Sequence, residues 1–194
     1  MIESYLPAFK AWDIRGLYEH NIDNPFVYLL GKSIGKRLID QYGPDATFLC
    51  WSDTRPENKE LVWYFMLGMR DVHVEHIHTA NFIPAKSNTN FSFPRWICST
   101  SYMYWLSYDN YDLSASFTAS HNPAWHVWIK FADRKVNLLS TEMLKKLFIT
   151  EYYKQIVVHL PPLDNAPNFC PQSIIDKKNN LHNIIDEKWD KLNI

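Results

Sequence analysis

Asp112-Leu113-Ser114-Ala115-Ser116-Phe117-Thr118 runs without a break into Ala119-Ser120-His121-Asn122-Pro123. The first seven residues read as a strand, and the five that follow form a tight polar turn. A serine therefore emerges from the end of a buried strand, and ligands of α/β sheets gather outside the carboxyl ends of strands. His121 and Asn122 can donate hydrogen bonds there, and successive turn N–H groups can form an anion-holding nest. Such a serine suits a reactive hydroxyl able to carry a phosphoryl group. Taken alone, the same five residues also read as an ordinary Ser/Asn/Pro turn.

The flanking sequence supplies the layers. Asn24-Pro25 opens a helix with Asn24 as its cap, Val27, Leu30, Ile34 and Leu38 at helical spacing, and Gly43-Pro44 as the stop. Residues 47–51 (TFLCW) form a short buried strand. Thr54 and Glu57 have capping-box spacing and begin a helix reaching about Met69. Residues 71–77 alternate as a strand, and residues 81–96 form a long loop without periodicity. Beyond the serine turn, residues 128–132 make another short strand, and Ser140 caps a helix over 141–152. Strands alternating with helices imply a three-layer α/β/α domain with a mainly parallel mixed sheet. Its expected extent is 1–160, with a strand-like run at 155–160. A proline-rich linker over 161–171 and an amphipathic connecting helix complete 161–194.

Composition removes several classes of function. Twenty basic and twenty-one acidic side chains leave a formal charge of −1, so no basic surface for nucleic acid or anionic membrane is expected. Three cysteines without CxxC spacing fit a reduced, cytoplasmic protein and exclude a cysteine-built zinc site. No apolar run approaches membrane-spanning length. His76 and His78 share a strand face, but no third ligand stands at a convincing spacing, and with His73 they read as ordinary strand residues. Five glycines against eight tryptophans is an unusual balance. Such a chain must turn some corners without glycine.

FTASHNP at 117–123, followed by Ile129-Lys130, resembles the phosphoserine loop of the α-D-phosphohexomutases, the phosphomannomutase and phosphoglucomutase family. FKAWDIRG at 9–16 is similar to that family's KAYDIRG motif, and WSDTR at 51–55 to its GRDxR strand end. CSTSYMY at 98–104 is similar to the STPMxY segment, and Asp112 matches the aspartate approaching the serine strand. The resemblance covers residues 5–150. It implies an isomerase acting by phosphoryl transfer on a hexose phosphate, with Ser120 as the phosphorylated residue. Arg15 and Lys130 are implied as the cations beside it and as proton-transfer candidates, and His121 and Asn122 as residues that shape the loop and bind phosphate. A magnesium ion is implied too, held partly by an oxygen of the serine phosphate. Asp53 and Arg55 are taken as structural, fixing the loop after the 47–51 strand.

Two departures qualify these implications. The family's magnesium-binding, sugar-reading and phosphate-binding loops of its second, third and fourth domains have no counterpart in this sequence. Further C-terminal domains are therefore expected, and the 194-residue chain alone is expected to give no mutase turnover. Trp51 and Trp128 stand where the family has glycine, which permits close backbone approach that an indole forbids. The expectation is that some tryptophans are glycines in the native product, through a reassigned stop codon, and intact mass decides it. The alternative to an enzyme fragment is a non-catalytic remnant that binds a phosphosugar or a protein partner.

Overall fold

In the computed structural model, residues 2–53, 55–79 and 100–154 are described, without the side chains of 100–103. The loop at 81–96, the strand-like run at 155–160, the linker and the final amphipathic helix lie outside them.

The chain does not start extended. A helical turn, α1 (Ile2–Tyr5), and a 3-10 turn at Leu6–Ala8 precede a first strand, β1 (Ile14–Leu17). Helix α2 spans Asn24–Tyr42, and its cap is Asp23 rather than Asn24. The Asp23 backbone is extended and its carboxylate accepts from the Phe26 N–H at 2.9 Å. Asn24 is already inside the first turn, buried, donating Nδ2 to Glu60 Oε1 at 2.8 Å. Gly43, at φ +90°, ends the helix.

Strand β2 (Thr47–Ser52) leads to helix α3 (Pro56–Arg70). Arg55 takes the cap position without a side-chain bond, and Thr54 of the expected capping box lies outside the described residues. The expected strand at 71–77 begins late, as β3 (His76–Thr79). The reason is local. Carbonyls of Met69 and Arg70 at the end of α3 capture the N–H groups of Val72, His73 and Val74, with His73 left-handed at φ +64°. Helix α4 (Thr100–Ser107), which no periodicity announces, precedes β4 (Leu113–Thr118), β5 (His126–Asp133) and α5 (Thr141–Lys154).

The sheet order is β1-β5-β4-β2-β3. The ladders β4–β2 and β2–β3 are parallel, while β5 runs antiparallel to both β4 and β1. The sheet is therefore mixed, parallel only in its β4-β2-β3 half. Alternation sorts its side chains onto two faces. Phe48, Cys50, Ala115, Phe117, Val127, Ile129 and Phe131 join the main core with residues of α2, α3 and α5. Leu49 and Trp51 point the other way, against Tyr104 and Leu106 of α4. Helices thus cover both faces, giving the expected three layers.

Two glycines set the spacing of the first helical layer. A Cβ on Gly31 would lie 2.1 Å from the Phe65 carbonyl oxygen, and one on Gly68 would lie 2.0 Å from that of Tyr28. These glycines serve the packing of α2 against α3, and apart from Gly43 the described left-handed positions carry side chains. Glu19, His73, Asp109, Ser120, Trp125 and Val136 all adopt positive φ, the unusual choice that a glycine-poor chain requires.

Candidate functional site: the Ser120 loop

Strand β4 is buried along its whole length, and the chain surfaces at Ser120, which is exposed with φ +52°. Its N–H donates to Thr118 Oγ1 at 3.0 Å, and its Oγ lies 3.3 Å from His121 Nδ1. The Asn122 N–H and Nδ2 both donate to the Ala119 carbonyl at 2.9 Å. Asn122 therefore spends its amide on shaping the loop. The serine hydroxyl faces outward, with the imidazole as its neighbour.

What fixes this loop comes from the end of β2. Asp53 Oδ2 accepts from Thr118 Oγ1 and from the Ala119 N–H, each at 3.1 Å. Asp53 Oδ1 accepts from Asn58 Nδ2 at 2.7 Å and from the Arg55 N–H at 3.1 Å. The Arg55 guanidinium reaches across the sheet end: Nη1 donates to the Pro123 carbonyl at 2.8 Å, and Nη2 to those of Asn122 at 2.6 Å and Ser120 at 3.4 Å. Asp53 and Arg55 are structural, as the sequence suggests, but they fix the serine loop as well as their own. The loop's far end is held too, by the Trp125 N–H on Glu57 Oε1 at 3.3 Å and by the Tyr18 N–H on the Trp125 carbonyl at 2.8 Å. The Tyr18 ring stacks on Trp125 at 6.1 Å, and its hydroxyl donates to Glu60 Oε2 at 3.0 Å. Burial, and then the Glu60 carboxylate, raise the Tyr18 phenol well above its ordinary value.

The two expected cations stand on the neighbouring strands. Thr118 pairs with Trp128 on β5, and Trp128 pairs with Arg15 on β1. Adjacent strands are about 5 Å apart, so Arg15 lies two strands, roughly 10 Å, from the strand end that presents Ser120. Arg15 Nε pairs with the buried Asp13 carboxylate, and its guanidinium carbon sits 4.2 Å from the Trp128 ring centre. Lys130, paired across with Ser116, brings Nζ to 5.7 Å from the same ring. Both cations gather over one indole. Trp128 is accommodated within β5, with both cations near its ring, and Trp51 is buried with Leu49.

The described residues do not make a magnesium site by themselves. Asp53 is the carboxylate bonded next to Ser120, and its two oxygens already take four hydrogen bonds and face Arg55 Nε at 3.4 Å. Among the described residues no three His, Cys, Asp or Glu side chains are grouped to hold a metal ion. His73 leaves the strand for the turn after α3, and His78 Nδ1 lies 3.1 Å from the Tyr111 hydroxyl. A groove of about 520 Å³ between α2 and α5 is lined by Lys36, Arg37 and Lys154 among others, and none of Ser120, Arg15 or Lys130 borders it.

Residues 7–155 match the family model described as phosphoglucomutase/phosphomannomutase, alpha/beta/alpha domain I. The chain belongs to the phosphoglucomutase/phosphomannomutase family. It is 34% identical over 155 residues to a phosphomannomutase of Methanocaldococcus jannaschii, covering 77% of this chain and 30% of that protein. A phosphomannomutase of Vibrio cholerae is 28% identical over 119 residues, 61% of this chain and 22% of its own length. The fold also matches a phosphoglucomutase/phosphomannomutase family protein from Burkholderia thailandensis at a TM-score of 0.58 and 21% identity, over 74% of this chain and 30% of that one. The chain thus spans less than a third of the length of these relatives. Among the described residues no helix is long and apolar enough to cross a membrane.

Proposed function

We propose that this chain is the phosphoserine-bearing part of a hexose-phosphate mutase, with Ser120 receiving and returning the phosphoryl group. The observation that carries the reading is an outward-facing serine hydroxyl, held at the end of a buried strand in a left-handed turn that Asp53 and Arg55 brace from behind. Phosphoryl transfer asks chiefly for positioning and for positive charge on the equatorial oxygens. Arg15 and Lys130 supply that charge from β1 and β5, and His121 hydrogen-bonds the serine oxygen. Asn122 acts through the loop's shape. Magnesium, where the full site holds it, neutralises phosphate charge, and the described residues offer it no carboxylate set of their own. The relatives' names support a hexose phosphate as substrate, and the relatives' greater length supports a chain that gives no mutase turnover alone.

Incubation with glucose 1,6-bisphosphate and magnesium, followed by peptide mapping, tests the reading. Phosphate on the peptide containing Ser120, absent from Ser120→Ala, is expected. An unmodified Ser120, or modification that persists in Ser120→Ala, overturns it. One feature favours a second reading, a remnant that binds a phosphosugar or a protein partner without transfer: Arg15 is already engaged by Asp13 and by the Trp128 ring. Phosphosugar or partner binding without serine modification is the outcome that would favour it.

A further inference from the structure

The Arg55 guanidinium is committed to the backbone. Its two terminal nitrogens take three carbonyls of the loop, those of Ser120, Asn122 and Pro123, and its Nε faces Asp53 Oδ2 at 3.4 Å. In a trans peptide the carbonyl and the following N–H point in opposite directions in one plane. Drawing the Ser120 carbonyl toward Arg55 therefore turns the His121 N–H away from it. The Pro123 carbonyl does the same for the Ala124 N–H, while the Asn122 carbonyl precedes a proline, which has no N–H to turn. Among the described residues these two N–H groups, His121 and Ala124, donate to nothing, whereas those of Ser120, Asn122, Trp125 and His126 are all engaged. Two unengaged N–H donors thus lie in the loop after Ser120, each turned away from the cation that holds its partner carbonyl.

We propose that Arg55 is a positioning residue: by gripping the loop's carbonyls from behind, it aims the His121 and Ala124 N–H groups outward as donors for the phosphate at Ser120. The inference rests on Ser120 being the phosphoryl carrier, and it assigns Arg55 no contact with phosphate. A guanidinium suits this task because its planar fork presents several donors to separate acceptors at once. A lysine places its three donors on one atom and cannot span carbonyls from three residues.

The test is a titration of the full chain with inorganic phosphate, followed by amide NMR, in the native protein, Arg55→Lys and Arg55→Met. Amide exchange at Asn122 and thermal unfolding are measured alongside. Phosphate should shift the His121 and Ala124 amide signals in the native chain. Arg55→Met should weaken that response about tenfold and speed exchange at Asn122 by a similar factor, in line with the loss of charged hydrogen bonds. Exchange in the middle of β4 should stay as it was. Arg55→Lys should fall between the two, which also covers the case that Arg55→Met fails to fold. Equal phosphate shifts in the native and variant chains would overturn the inference, as would native His121 and Ala124 signals that ignore phosphate. Failure of the phosphoryl-carrier reading shows separately, as an unmodified Ser120 in the bisphosphate experiment.

Discussion

Replacing Asp53 by asparagine should loosen the serine loop and cost about 2 kcal/mol of stability. The carboxylate sits between two sets of donors: Asn58 Nδ2 and the Arg55 N–H on Oδ1, and Thr118 Oγ1 and the Ala119 N–H on Oδ2. An amide of the same shape keeps an oxygen toward one set only. Its NH₂ then meets donors on the other side, and the ion pair with Arg55 is lost. The Thr118 hydroxyl can rotate to accept, but a backbone N–H cannot. Hydrogen bonds to a charged group contribute about 1.5–3 kcal/mol each. Asp53 is 23% exposed, so water replaces part of what is lost and the sum falls well short of additivity. At about 2–4 °C per kcal/mol for a chain of this size, the melting temperature should fall by about 6 °C. Urea unfolding gives the free energy, and amide exchange at Ala119 locates the change. An isolated surface ion pair is worth about 0–1 kcal/mol. A loss below about 0.5 kcal/mol, with Ala119 exchange unchanged, would refute the role given to Asp53.

Gly68→Ala should destabilise by about 2–4 kcal/mol, read by urea unfolding, because the new Cβ would sit 2.0 Å from the Tyr28 carbonyl oxygen and force α2 and α3 apart. Val136→Gly should stabilise by about 1 kcal/mol in the same assay, since a β-branched residue is held at φ +64°. The Asp133 carboxyl is raised by burial, but hydrogen bonds from the Asn137 side chain and from the Asn137 and Lys135 N–H groups outweigh this and leave it below the ordinary value. A lowered folded value adds stability that is present above about pH 4 and is lost as pH falls through the folded value. Unfolding from pH 7 to pH 2 should show native chain and Asp133→Asn differing at neutral pH and converging at the acid end.

The strand that presents Ser120 was legible because its six residues, LSASFT, are apolar or small and run straight into a polar turn. Helices α2, α3 and α5 were legible from spacing and punctuation, even where the cap moved by one residue. A cap is decided by which side chain meets the free N–H groups, and Asp23 and Asn24 are both good candidates on paper. β1 escaped because its four residues, IRGL, are too few to display a period. α4 escaped because TSYMYWLS is apolar almost all round. At the site, the sequence named Ser120, His121, Arg15 and Lys130 through the family's motifs. It did not say that Arg55 closes on carbonyls some 65 residues later, because such a bond depends on the parallel pairing of β2 with β4. The Asp-x-Arg spacing after a strand was the available signal. Nor could composition say how few glycines suffice: among the described residues, six that bear side chains take the left-handed region in their place.

The most direct measurement of the central claim is the stoichiometry and location of phosphate transferred from glucose 1,6-bisphosphate to the purified chain. One phosphoryl group per chain, on residue 120, resistant to exchange into neighbouring hydroxyls and absent from Ser120→Ala, is the predicted result. A chain that stays unphosphorylated while its fold remains intact, or that carries the group elsewhere, would contradict it.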